Sequence, residues 1–175
     1  MICIYNDVGT GVDVAHVARM MRKYTNHDVI YLNAEQLFER KWQRNTALFI
    51  MPGGFDLGYK MKLYPKGDEI IQEYVQFGGS YLGICAGSYY ATSGIVFNKG
   101  QEDQIIETRN LELIPSIAIG PLIPYCSYDY SGSAVFNIDC KEVGECSLLY
   151  NGGPFFMNAK EENVIASFYD KAMIL

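Results

Sequence analysis

Apolar and polar positions follow two rhythms in the first half of the chain. Residues 2–5 are a short apolar run and read as a buried strand. After a polar, glycine-bearing loop, Val14, Val17, Ala18, Met21 and Tyr24 recur at three- and four-residue spacing, which predicts an amphipathic helix over about 12–25. Residues 28–32 read as a second strand. Asn33 with Gln36 three positions on predicts a helix N-cap and its capping-box partner. Residues 47–51 read as a third strand, halted by Pro52-Gly53-Gly54, and residues 55–67 as a polar loop. A helix over 68–77 follows, expected to bury Ile70, Ile71, Tyr74 and Phe77 and to end at Gly78-Gly79. Residues 80–84 are a fourth strand. Strands alternating with helices predict an α/β domain with a parallel sheet.

Beyond residue 94 the rhythm changes. Short apolar runs at 94–97, 104–107, 116–119, 134–138, 147–150 and 164–168 are separated by Pro, Gly, Asn and Asp, with no long helical pattern. These read as strands, added as hairpins or as an extension of the first sheet. No repeat, linker or low-complexity tract divides the 175 residues, so a single domain over 1–175 is expected.

Composition narrows the function. Apolar residues make up 49% and charged residues 19%, enough for a conventional core. The net charge of −6 argues against nucleic acid or an anionic membrane as partner. No apolar run approaches the roughly 20 residues of a membrane span. The N-terminus lacks the features of a signal peptide, and a cytoplasmic setting is expected. Five cysteines without a C-x-x-C pair suit neither a disulfide framework nor a zinc site, so reduced thiols and no metal are expected. The loop from Asp7 to Gly11 offers only part of a dinucleotide-binding pattern, because Val14 stands where a third glycine belongs. No cofactor is therefore expected.

The stretch from Ser80 to Ala91, S-Y-L-G-I-C-A-G-S-Y-Y-A, carries the chemistry. A strand running into Gly83-Ile84-Cys85-Ala86-Gly87 and then into a helix is a G-x-C-x-G nucleophile elbow. Side chains two residues before or after Cys85 would collide in so tight a turn, hence the glycines. The start of the following helix is expected to favour the thiolate. Pro52-Gly53-Gly54, at the end of an adjacent parallel strand, would set a Gly53 or Gly54 N–H beside that of Ala86 as an oxyanion hole. Asp56, just beyond, could orient a ligand amine or cap a turn. Asn151 and Gly152 could form a plain hairpin turn or line the same pocket. For a redox thiol, Asp7, Asp13 or Asp56 would be the carboxylates within reach.

These residues resemble the class I glutamine amidotransferase-like superfamily and, within it, the domain at the N-terminus of biotin–protein ligases. The likeness rests on Met51-Pro52-Gly53-Gly54-Phe55-Asp56-Leu57-Gly58-Tyr59, on the run from Phe77 to Ala91, and on Tyr150-Asn151-Gly152-Gly153-Pro154-Phe155-Phe156. The opening Tyr5-Asn6-Asp7-Val8-Gly9 and His16 also fit. The resemblance implies a Rossmann-like, flavodoxin-like parallel sheet with flanking helices, additional C-terminal strands and an exposed cysteine. It implies Cys85 as nucleophile and Tyr59 among the substrate-binding residues. Relatives of the amidotransferase kind carry a late catalytic His, yet no histidine follows His27 here. Either that segment is missing or the protein works without it, and His16, one turn into the first helix, is the remaining candidate base. No Gly/Arg-rich biotinyl-adenylate loop is present, so this chain alone is not expected to attach biotin. Two functions follow as expectations. One is a cysteine site acting on a small molecule with an amide or acyl group. The other is a non-catalytic ligand-binding or regulatory module serving a biotin-dependent system.

Overall fold

The computed structural model describes residues 1–123 and 130–175, so Cys126 lies outside the described residues. The chain divides into two compact units, residues 1–91 and 92–175.

The first unit is a parallel sheet with helices in its crossovers. Strands β1 (Ile2–Tyr5), β2 (Val29–Leu32), β3 (Leu48–Met51) and β4 (Ser80–Gly83) are ordered β2-β1-β3-β4, all parallel. The four residues of β1 are all buried, which explains its uninterrupted apolar sequence: the sheet pairs it on both sides and its crossovers cover it. Helix α1 (Val14–Tyr24) lays Ala18, with Val14, Val17 and Met21, against Ile2, Ile4, Val29 and Ile50. Tyr24, expected on that stripe, is 65% exposed at the helix end. Helix α2 (Ala34–Phe38) opens on the capping box: Asn33 Oδ1 accepts from the Gln36 N–H at 2.9 Å, and Gln36 Oε1 accepts from the Asn33 N–H at 3.0 Å.

Residues 55–67, expected as a loop, instead hold helix α3 (Asp56–Leu63) and the first residues of α4 (Lys66–Gln76). Besides Gly58, α3 buries Asp56, Tyr59 and Leu63, a three- and four-residue spacing disguised by intervening lysines. Helix α4 buries Ile70, Ile71 and Tyr74 as expected, but Phe77 is 89% exposed. Phe77 is the C-cap. Gly78, at φ 92°, reverses the chain, and the Gly78 and Gly79 N–H groups donate to the Val75 and Tyr74 carbonyls, both at 2.9 Å. That Schellman geometry swings residue 77 off the helix's apolar face.

The second unit is a separate eight-stranded sheet, not an extension of the first. Its strands are β5 (Thr92–Phe97), β6 (Ile105–Thr108), β7 (Ile114–Gly120), β8 (Ala134–Cys140), β9 (Gly144–Tyr150), β10 (Phe155–Met157), β11 (Ala166–Phe168) and β12 (Lys171–Ile174). They are ordered β6-β5-β7-β10-β12-β11-β8-β9. Every pairing is antiparallel except β5 with β7. All six expected runs contribute strands, while the brief β10 and the terminal β12 went unread. No helix among the described residues is long and apolar enough to cross a membrane.

Side-chain burial on α4 sets a stability contrast. Ile70→Ala should cost about 2–5 kcal/mol as a core truncation, whereas Phe77→Ser should stay within about 0.5 kcal/mol of the parent. Urea unfolding of the two variants measures both.

Candidate active site

Three loops meet at the carboxyl end of the parallel sheet, beside the point where the strand order reverses between β1 and β3. The loop after β1 and the loop after β3 zip together through main chain. Gly11 N–H donates to the Gly53 carbonyl at 2.9 Å, Phe55 N–H donates to the Gly9 carbonyl at 2.7 Å, and Thr10 pairs with Gly54. A side chain at Gly54, whose φ is 139°, would strike the Gly9 oxygen at 2.1 Å, so only glycine permits this closure. From below, the fully buried Tyr59 donates its hydroxyl to the carbonyls of Pro52 (2.9 Å) and Gly53 (3.2 Å). Tyr59, expected to contact substrate, is thus engaged in holding the loop.

The third loop is the turn from β4 into helix α5 (Ala86–Tyr90). Cys85 occupies it with φ 49° and ψ −106°, a left-handed conformation that costs a non-glycine residue of order 1–3 kcal/mol. The surroundings enforce it. Ile84 and Gly87 N–H groups donate to the Met51 (3.0 Å) and Pro52 (3.1 Å) carbonyls, and Ser88 and Tyr89 N–H groups to the Cys85 carbonyl (2.9 and 3.0 Å). The Tyr81 hydroxyl donates to the Gly87 carbonyl at 2.8 Å and Ser88 Oγ to that of Gly83 at 2.7 Å. Tyr89 and Tyr90, which follow, are buried packing residues, and Tyr90 hydrogen-bonds the buried Asp68.

The Cys85 sulfur is half-buried. Backbone N–H groups of Ala86 and Gly54 are directed at it, and the carboxylates of Asp13 and Asp56 act on it electrostatically. Burial, reinforced by the two carboxylates, outweighs the two N–H donors and pushes the thiol up to about 11. The expected thiolate is therefore replaced by a neutral thiol at pH 7.

The remaining candidates lie as follows. Gly53 lies beside the cysteine: a Cβ there would stand 3.5 Å from Cys85 Cβ and 2.6 Å from Asp13 Oδ2. Asp56 is buried in the first turn of α3. His16 is exposed on α1, and its side chain makes no hydrogen bond or ion pair among the described residues. Asn151 and Gly152 belong to the second unit, where Asn151 Oδ1 accepts from Ser133 Oγ at 3.1 Å and Gly152 turns with φ 78°. Asp13 is the residue sequence reasoning undervalued. It was expected only as one of three carboxylates, with Asp7 and Asp56, within reach of the thiol, and its place beside Cys85 depends on Gly11 and on the distant Gly53. Among the described residues no group of three or more His, Cys, Asp or Glu is disposed to hold a metal ion.

A family model described as "Biotin-protein ligase, N terminal" matches residues 1–174. The chain belongs to this family. As a member of the biotin–protein ligase N-terminal family it is 30% identical over 168 residues to an uncharacterized protein of Chlamydia muridarum, covering 91% of this chain and 65% of that one. It is 29% identical over 150 residues to a biotin–protein ligase of Schizosaccharomyces pombe, covering 80% of this chain and 24% of the ligase. The chain thus spans under two thirds of the length of both relatives. Among solved structures, a glutamine amidotransferase matches this family member with a TM-score of 0.72 over 98% of this chain and 82% of that one. At 15% identity that likeness establishes the amidotransferase-like α/β fold.

Two outcomes test the geometry of this site. The alkylation rate of Cys85 by iodoacetamide, followed by peptide mass spectrometry, should still rise about tenfold per pH unit between about pH 8 and 10, because the thiol ionises only near 11. Gly87→Ala should destabilise the fold by about 3 kcal/mol or more, since its Cβ would sit 2.0 Å from the Met51 carbonyl oxygen. Thermal or urea unfolding reports that loss.

Proposed function

We propose that Cys85 is a nucleophile that captures an acyl group from a small amide, ester or thioester. The observation that carries this reading is the strained Cys85 backbone, which sets the sulfur against the N–H groups of Gly54 and Ala86. Such a turn with two nearby N–H donors supports the reading of Cys85 as a nucleophile elbow beside an oxyanion hole. In the reaction the sulfur attacks the acyl carbon and a C–S bond forms. The carbonyl oxygen takes up negative charge next to the two N–H donors, each worth about 3–4 kcal/mol to such a transition state. The tetrahedral species then expels the alcohol, amine or thiol, which departs with the proton that the Cys85 thiol gave up. Gly53 keeps the approach clear, and Asp56 borders it.

A second reading is supported by the neutral thiol of Cys85 and by the exposure of His16 on α1. In it the chain is a ligand-binding or regulatory module serving a biotin-dependent system, a reading that its kinship to a biotin–protein ligase supports. One experiment separates the two. Incubation with p-nitrophenyl acetate should leave one acetyl group on the Cys85 peptide and release nitrophenolate faster than Cys85→Ala does. Equal release by both proteins, with no acetylated peptide, would favour the binding module.

A further inference from the structure

Asp13 occupies the N-cap position of α1 but does not cap it. An aspartate there ordinarily accepts from the backbone N–H two or three residues on. The Asp13 side chain makes no such bond, and it has no hydrogen bond or ion pair with any described residue. Its carboxylate is turned toward the glycines of the site. Oδ1 lies 2.8 Å from where a Gly11 side chain would begin and Oδ2 lies 2.6 Å from where one would begin on Gly53, the point that is itself 3.5 Å from Cys85 Cβ. Carboxylate and cysteine therefore flank one side-chain-free spot, and both residues are partly open to solvent. Such a carboxylate is a strong acceptor and a full negative charge awaiting a partner.

We infer that the Cys85 site takes substrates bearing a positively charged nitrogen near the acyl carbon, and that Asp13 is the residue that selects them. This rests on the reading of Cys85 as an acyl-accepting nucleophile. The Asp13 charge would repel a substrate with an acidic group close to its acyl carbon. A bound ammonium would also cancel part of the opposition that the carboxylates raise to an ionised sulfur. The thiol would then give up its proton more readily with substrate in place than without it.

The probes are three methanethiosulfonates that transfer, respectively, a trimethylammonium-ethyl, a methyl and a sulfonato-ethyl thiol group to cysteine with loss of methanesulfinate. Rates at the Cys85 peptide are followed by mass spectrometry and divided by those of free 2-mercaptoethanol, which removes intrinsic reagent reactivity. Ratios between reagents also cancel any change in the ionised fraction of the thiol. We expect the cationic reagent to be favoured over the anionic one. That ratio should fall about fivefold in Asp13→Asn, the size expected for one unit charge acting over a few ångströms of wet crevice, and should persist in Asp13→Glu. Glu39→Gln, which removes the same charge from the exposed C-terminal end of α2 in the same unit, should leave it unchanged. A ratio that Asp13→Asn leaves intact, or that Glu39→Gln lowers equally, overturns the selection by Asp13 while the nucleophile reading stands. Failure of even the neutral reagent to reach Cys85 would instead sink that reading, and the inference with it.

Discussion

A methyl group on Gly87 would stand 2.0 Å from the Met51 carbonyl oxygen, and one on Gly83 would stand 2.7 Å from the Gly87 oxygen. The end of β3, the turn at Cys85 and the first turn of α5 consequently approach main chain to main chain. That contact lets the Gly87 and Ile84 N–H groups reach the carbonyls of Pro52 and Met51, and those bonds hold Cys85 at a positive φ it would not choose. The Pro52–Gly53–Gly54 loop is fixed by the same contact from one side and by the Tyr59 hydroxyl from the other. Remove the close approach and the N–H groups of Gly54 and Ala86 no longer have a common target.

The electrostatics of Cys85 follow from this crowding. Close-packed backbone brings two N–H donors to the sulfur, but it also displaces water and leaves two carboxylates nearby. Donors of this kind stabilise a negative charge by fixed, local dipoles, whereas the loss of hydration opposes that charge from every direction. The balance falls on the neutral thiol. A helix of five residues beginning at Ala86 adds too little to reverse it, so the turn's shape alone did not decide the protonation state.

What could be read from the sequence was local. The Asn33–Gln36 capping box, the Gly78 helix stop and the buried run of β1 each depend on residues within a few positions of one another, and each lies where it was expected. Cys85 between Gly83 and Gly87 was legible for the same reason. Helix α3 was not, because Asp56 and Tyr59 are buried against its lysine-rich exposed face and the Pro-Gly-Gly before it suggested continued loop. Phe77 kept helical spacing but fell one residue beyond the helix, where the reversal at Gly78 overrides periodicity. Asp13 could be read only as one of three carboxylates within reach of the thiol. Its environment is made by Gly11 and Gly53, which parallel pairing of β1 with β3 brings together across some forty residues of chain.

Strain supplies the last step. At φ 49° a side chain in position 85 costs of order 1–3 kcal/mol that a glycine would not. Fold-level likeness at 15% identity carries architecture and no chemistry, and family kinship to a ligase of which this chain spans 24% carries none of that enzyme's ligating activity. At Cys85 a costly conformation, two N–H donors directed at the sulfur and the Asp13 carboxylate alongside are features that a purely structural turn would have no reason to combine.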